Sequence, residues 1–137
     1  MDREPRGLRN NNPGNIRRGK DKWQGLRAVQ TDAEFWQFES MGYGYRALIK
    51  LLQNYRRLHG CRTVAEMIER WAPRTENDTA AYLRDVCGQM GVPTVYVPDT
   101  EDADTMCALA AAISRHENGR EADVTDVREG WRLLYDE

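Results

Sequence analysis

Thr105-Met106-Cys107-Ala108-Leu109-Ala110-Ala111-Ala112-Ile113-Ser114-Arg115-His116-Glu117-Asn118-Gly119 is the stretch from which the fold class follows. Met106, Leu109, Ala110 and Ile113 recur at i, i+3, i+4 and i+7, the spacing that lines one face of an α-helix. A core helix is therefore expected. The next position on that face is Glu117, and Asn118-Gly119 behind it is a helix-ending pair, since both residues tolerate positive φ. A carboxylic acid thus closes the buried stripe. Partial desolvation against a core and the negative end of a helix dipole both favour the protonated form of an acid so placed, which is the form a general acid needs. A surface glutamate fraying in the last turn is the plain alternative.

The chain around this helix has 137 residues, enough for one domain that buries roughly two-thirds of its unfolded surface. No apolar run approaches the ~20 residues of a membrane span, and Met1-Asp2-Arg3-Glu4-Pro5-Arg6 has no apolar signal-peptide core behind it, so synthesis in the cytoplasm is expected. Cys61, Cys87 and Cys107 are odd in number and widely spaced, which supports neither a disulfide framework nor a zinc site and reads as three small core hydrophobes. No cofactor is implied. The formal net charge of −2 hides a gradient: residues 1–28 carry eight Lys and Arg against three acids, residues 99–137 eleven acids against four Arg. A basic lobe facing an acidic one suits an anionic ligand, nucleic acid or another polymer, and is equally compatible with a solvated surface.

From the N-terminus, Arg9-Asn10-Asn11-Asn12-Pro13-Gly14-Asn15-Ile16-Arg17 has to be loop, with three turn-forming amides before Pro-Gly. Its asparagines make either a self-bonded knot or a surface for sugar hydroxyls and acetamides. Leu26-Arg27-Ala28-Val29 and Phe35-Trp36-Gln37-Phe38, separated by Gln30-Thr31-Asp32, predict a small β-hairpin. Helical periodicity begins after Ser40-Met41-Gly42, with Tyr45, Leu48, Leu52 and Tyr55 on one face, and stops at His59-Gly60. Thr63-Val64-Ala65-Glu66 is a capping box for a second, short helix carrying Val64, Met67, Ile68 and Trp71 inward. A third helix starts around Asn77-Asp78-Thr79, with Leu83, Val86, Cys87 and Met90 on one side before Gly91. Val92-Pro93-Thr94-Val95-Tyr96-Val97-Pro98, with two prolines, is an extended crossover, and after Gly119 a last amphipathic turn or two follows Thr125.

Several of these stretches carry a resemblance. Arg6 to Arg17, Trp23-Gln24-Gly25, Trp71-Ala72-Pro73 with Glu76-Asn77, and His116-Glu117-Asn118-Gly119 together resemble the small lysozyme-like proteins of phages and prophages, often labelled virion structural proteins. A more distant likeness is to bacterial glucosaminidases of the lysozyme superfamily: Asn12-Pro13-Gly14-Asn15-Ile16-Arg17 is similar to their Asn-Leu-Phe-Gly-Ile-Lys turn, Thr31-Asp32-Ala33-Glu34 to their Thr-x-Glu lobe, and Phe35 to Ser40 to their Phe-x-x-Tyr-x-Ser segment, in the same order. Those enzymes place the helix bearing the acid before the turn, whereas here Ala-Ile-Ser-Arg-His-Glu-Asn-Gly stands at the far end. The resemblance therefore implies a mainly α (α+β), lysozyme-like single domain over residues 1–137, circularly permuted, with about five helices and a small β-hairpin lobe. Phe38 departs from the pattern, since the glucosaminidases have tyrosine there; Tyr43 or Tyr45 is expected to stand in.

The function implied is cleavage of the peptidoglycan glycan strand between N-acetylmuramic acid and N-acetylglucosamine, by a muramidase or lytic transglycosylase with Glu117 as general acid/base. Glu39 is the expected second acid, ahead of Glu34 and Asp32. Asn12, Asn15 and Arg17 would bind the glycan or hold the turn against Glu117, with Trp23 and Trp36 stacking on sugar faces. His116 points about 100° around the helix from Glu117 and is expected to flank the site. A monomer is expected, delivered from the cytoplasm to the periplasm or cell wall by a phage particle, a holin-like pore or secretion machinery. The alternatives are a non-catalytic virion structural or nucleic-acid-binding module using the Arg-rich N-terminus, which lacks a recognition helix, and a peptidoglycan-binding pseudoenzyme.

Overall fold

The computed structural model describes residues 4–135. Among these residues six helices carry the fold: α1 (Arg6–Arg9), α2 (Met41–His59), α3 (Val64–Trp71), α4 (Thr79–Met90), α5 (Ala103–Asn118) and α6 (Val124–Tyr135). The helical assignments from periodicity hold for α2 to α5. Ser40 caps α2 by accepting from the Tyr43 N–H, and Asp102 does the same for α5 at the Thr105 N–H. The capping box of α3 is complete, with Glu66 reaching back to the Thr63 N–H while Thr63 accepts from the Glu66 N–H.

Two findings differ from the sequence reading. A single turn, α1, for which the sequence carries no helical periodicity, runs into the expected loop at Arg9 and is closed by the Leu8 and Arg9 N–H groups on the Pro5 carbonyl. The last helix, α6, runs for twelve residues instead of a turn or two, and Asp123, not Thr125, supplies the side-chain oxygen at its start by accepting from the Thr125 N–H at 2.8 Å. The apolar stripe of α6 was thin because only Val127 and Gly130 are fully buried along it. Gly130 is where α6 meets α2: a β-carbon there would lie 2.6 Å from Tyr45 Cβ and 2.8 Å from the Arg46 nitrogen, so only glycine permits this approach.

The expected hairpin is reduced to contacts at single points. Leu26 bridges Phe38 and Arg17 bridges Phe35, both antiparallel, with no continuous ladder. Glutamine side chains occupy the groups that a ladder would have used. Gln30 Nε2 donates to the Arg27 and Gln37 carbonyls, Gln30 Oε1 accepts from the Gln37 N–H at 2.7 Å, and Gln37 Oε1 accepts from the Thr31 N–H at 2.6 Å. Residues 10–40 thus form an irregular lobe tied together by side-chain amides.

The main core joins α2 to α6 and includes Tyr45, Leu48, Ile49, Leu52, Met67, Ile68, Val86, Met106, Leu109 and Ile113. All three cysteines are unpaired and buried. A smaller cluster of Ile16, Trp36, Phe38 and Ala47 anchors the lobe on α2, and Trp71 packs against both clusters. The proline-rich crossover offers the Tyr96 and Thr94 carbonyls to the Val64 and Ala65 N–H groups, which α3 cannot satisfy internally. Among the described residues no helix is long and apolar enough to cross a membrane.

Candidate functional site

The asparagine turn is built from the inside by Asn12. Its side chain has no exposed surface; Nδ2 donates to the Ile16 carbonyl at 3.0 Å and to the Trp36 carbonyl at 2.8 Å, and Oδ1 accepts from the Ile16 N–H at 2.9 Å. Asn12 is therefore the knot of the turn and has no group left for a ligand. Asn11 and Asn15 both take positive φ, 51° and 52°, a conformation asparagine tolerates better than other side chains. That conformation directs Asn15 Nδ2 onto the Glu117 carboxylate, 2.8 Å from Oε1, across 102 residues of chain.

The same seam is fastened a second time one residue later. Asn118 Nδ2 donates to the Pro13 carbonyl at 3.0 Å and to the Ser114 carbonyl at 2.9 Å, while Ser114 Oγ accepts from the Tyr45 hydroxyl at 2.8 Å. The Oδ1 atoms of Asn15 and Asn118 are buried without a hydrogen-bond donor among the described residues, and both face Gly7 of α1. A β-carbon at Gly7 would lie 2.4 Å from Asn118 Oδ1 and 3.0 Å from Asn15 Oδ1, so glycine leaves the room these oxygens occupy.

Glu117 is half-buried and its second oxygen is held from the other side. Tyr82 of α4 donates its hydroxyl to Glu117 Oε2 at 2.8 Å and accepts from Trp71 Nε1 at 3.1 Å. Burial, reinforced by the neighbouring Glu117 charge, pushes the Tyr82 hydroxyl far above the ordinary tyrosine range, so it remains a neutral donor. His116 packs on the Tyr82 ring with centroids 3.8 Å apart and bonds Asp85 through Nδ1 at 2.7 Å. That bond, with one from Gln89, holds the Asp85 carboxyl below the usual carboxylate range. His116 flanks the site, as its helical position predicts.

Glu117 faces a cleft of about 450 Å³ between the lobe and the helices. Asn15, Arg17, Trp23 and Trp36 line it on the lobe side, and Tyr55, Trp71 and Glu76 on the helical side, so five of the residues named from sequence as acid or glycan contacts meet there: Glu117, Asn15, Arg17, Trp23 and Trp36. Trp36 is almost fully buried, with the Arg18 and Lys22 side chains over its ring. Arg17 lies over the Phe35 ring at 5.2 Å and is paired with Glu34 at 3.4 Å.

The other sequence assignments are corrected. Glu39 does not line the cleft; it follows the Leu26–Phe38 bridge, where its N–H bonds the Gly25 carbonyl at 2.7 Å and its side chain faces solvent. Asp32 is committed to Arg6, 2.6 Å away, and to Asn10, and Glu34 stands exposed between Arg6 and Arg17. The acids that do line the cleft with Glu117 are Asp21 and Glu76. Tyr45 is a core residue whose hydroxyl is used by Ser114, and burial pushes that hydroxyl up to about 12. Tyr43 packs against Gly25 and the lobe cluster, away from the cleft.

Tyr82 was missed. Its signal was present in the spacing of Thr79, Tyr82 and Val86, i, i+3 and i+7, all buried, whereas Leu83, preferred for its hydrophobicity, is only half-buried.

The chain belongs to a family of phage proteins. It is 37% identical over 117 residues, 83% of this chain and 71% of the relative, to Protein P5 of Pseudoalteromonas phage PM2. No family model matches it.

Proposed function

We propose that the protein cleaves the glycan strand of peptidoglycan as a muramidase or lytic transglycosylase, with Glu117 as general acid and then base, in a lysozyme-like and circularly permuted arrangement. The observation that carries the reading is the seat of Glu117: a carboxyl group facing a cleft, gripped by Asn15 of the head turn on one oxygen and Tyr82 on the other. An acid fixed on both sides beside aromatic and amide groups suits a polymer of N-acetylated sugars, whose faces stack on Trp23 and Trp71.

Glu117 transfers its proton to the bridging oxygen as the C1–O bond breaks, so the leaving sugar departs as an alcohol while positive charge spreads over the ring. The ionised Glu117 then takes a proton from the hydroxyl that attacks C1. Water gives hydrolysis; the substrate's own C6 hydroxyl gives an anhydro ring. With Glu39, Glu34 and Asp32 off the cleft, the positive charge is met by Asp21 or Glu76 at its edge or by the substrate's acetamide. Phage origin fits delivery to the cell wall from a particle, through a holin-like pore or by secretion machinery.

The test is clearing of a peptidoglycan suspension by wild type and by Glu117→Gln. The wild type is expected to clear it, and the amide, which cannot donate the proton, to lose about 10²- to 10⁴-fold in rate at unchanged melting behaviour. A wild type that clears nothing, or a mutant as fast as wild type, ends the reading. Product analysis for an anhydro end separates transglycosylase from hydrolase.

A further inference from the structure

We infer that Tyr82 is a positioning residue for Glu117, locked in that role by Trp71, and that the acid's aim depends on this two-step chain from the cleft wall. The inference rests on the proposed cleavage reaction and deepens it.

An indole nitrogen can only donate. Trp71 Nε1–H therefore occupies one lone pair of the Tyr82 oxygen, and the Tyr82 proton is left to point at Glu117 Oε2. The phenol ring cannot swing away, because it is almost fully buried and covered on one face by His116, itself tied to Asp85. On the opposite oxygen Asn15 gives its Nδ2 to Oε1 at 2.8 Å while its Oδ1 is buried facing Gly7. A carboxylate has about four lone-pair directions, so two directed bonds fix its plane and leave the others free, with the cleft as the open side. Trp71 also lines that cleft, so a sugar ring stacked on its face bears on the residue that sets the direction of the Tyr82 hydroxyl.

A group aimed in this way acts on the rate of the bound complex more than on binding, since a small misplacement of a catalytic group is felt mainly in the chemical step. Tyr82→Phe is expected to lower kcat on peptidoglycan about 10- to 100-fold, the range associated with losing a hydrogen bond to a charged group, while KM changes by less than about twofold. Trp71→Phe removes both the lock and the larger stacking face, so kcat should fall less and KM should rise. Steady-state kinetics on soluble glycan fragments give both constants, and circular dichroism checks that each variant is folded. Should Tyr82→Phe not fold, Trp71→Phe decides: an unchanged kcat overturns the inference. An active wild type with unaltered kcat in Tyr82→Phe also overturns it, as does a loss carried wholly in KM, and the cleavage reading survives in each case. A wild type without activity removes that reading and this inference together.

Discussion

Asn12→Ala is expected to destabilise the fold by about 3 kcal/mol and to leave the kinetic constants of the surviving folded fraction close to wild type. The magnitude follows from what the side chain leaves behind. Removal of the amide strips the Ile16 N–H, the Ile16 carbonyl and the Trp36 carbonyl of a partner. The Ile16 carbonyl keeps the Trp36 N–H at 3.1 Å, so two backbone groups are orphaned in a site with no solvent access. At roughly 1–2 kcal/mol each the sum is about 3 kcal/mol, a large share of the ~5–15 kcal/mol that holds a domain folded. For a chain of this size that corresponds to a fall in Tm of about 10 °C. Urea denaturation followed by far-ultraviolet circular dichroism reads the loss, with an unchanged slope showing that the mutant still unfolds as one unit. Asn12→Asp keeps the shape and the acceptor but sets a carboxylate against two carbonyl oxygens, and is expected to be worse than alanine. A loss below about 1 kcal/mol in Asn12→Ala, or a rise in KM at full stability, would refute the reasoning and return Asn12 to the ligand.

Gly7→Ala puts a methyl group 2.4 Å from Asn118 Oδ1, 2.8 Å from the Asn12 carbonyl oxygen and 3.0 Å from Asn15 Oδ1. Such crowding costs about 1–3 kcal/mol, and because two of the three oxygens belong to the amides at the Glu117 seam, kcat should fall as well; an active, fully stable Gly7→Ala protein argues against that coupling. Asp32 gives the third prediction, on acid stability. The Arg6 guanidinium, helped by Asn10 and two backbone N–H groups, holds its carboxyl well below the usual carboxylate range. A depressed folded value contributes stability above the unfolded value of about 4 and loses it as pH falls below that point. Urea midpoints at pH 7 and pH 3 should therefore differ less in Asp32→Asn than in wild type, and equal differences would count against the assignment.

Helices α2 to α5 were legible because each rests on a local signal: an apolar stripe at helical spacing, the Thr63 capping box at the start of α3, and a Gly at the far end of α2, α4 and α5. Glu117 was legible for the same reason, standing on the stripe of α5. The lobe was not, because its segments read as strands by composition while Gln30 and Gln37 take over the backbone groups that a ladder needs, a choice no propensity scale records. The site was legible by half. Asn15 and Arg17 belong to a turn whose composition announces it, whereas Glu39 is near the lobe in sequence but faces solvent, and the task of Tyr82 exists only where α4 packs beside α5.

The bonds that close the site span 102 and 105 residues, from Asn15 to Glu117 and from Pro13 to Asn118. No local element can form either one: the head turn has to be knotted by Asn12, α5 has to be seated in the core, and the two have to be brought together by α2 and α6, whose packing Gly130 permits. Loop closure grows only slowly in cost with length, so the long span itself is a modest burden; the larger one is that a half-buried amide at Asn15 and a buried one at Asn118 must find their partners at once or leave polar groups stranded. Nor are these amides interchangeable with apolar packing. They fix the direction of a carboxyl group, which a hydrophobic seam of equal stability could not do, and this gives a physical reason for the chain to bury asparagine at Asn12 and Asn118 while Asn15 keeps a positive φ.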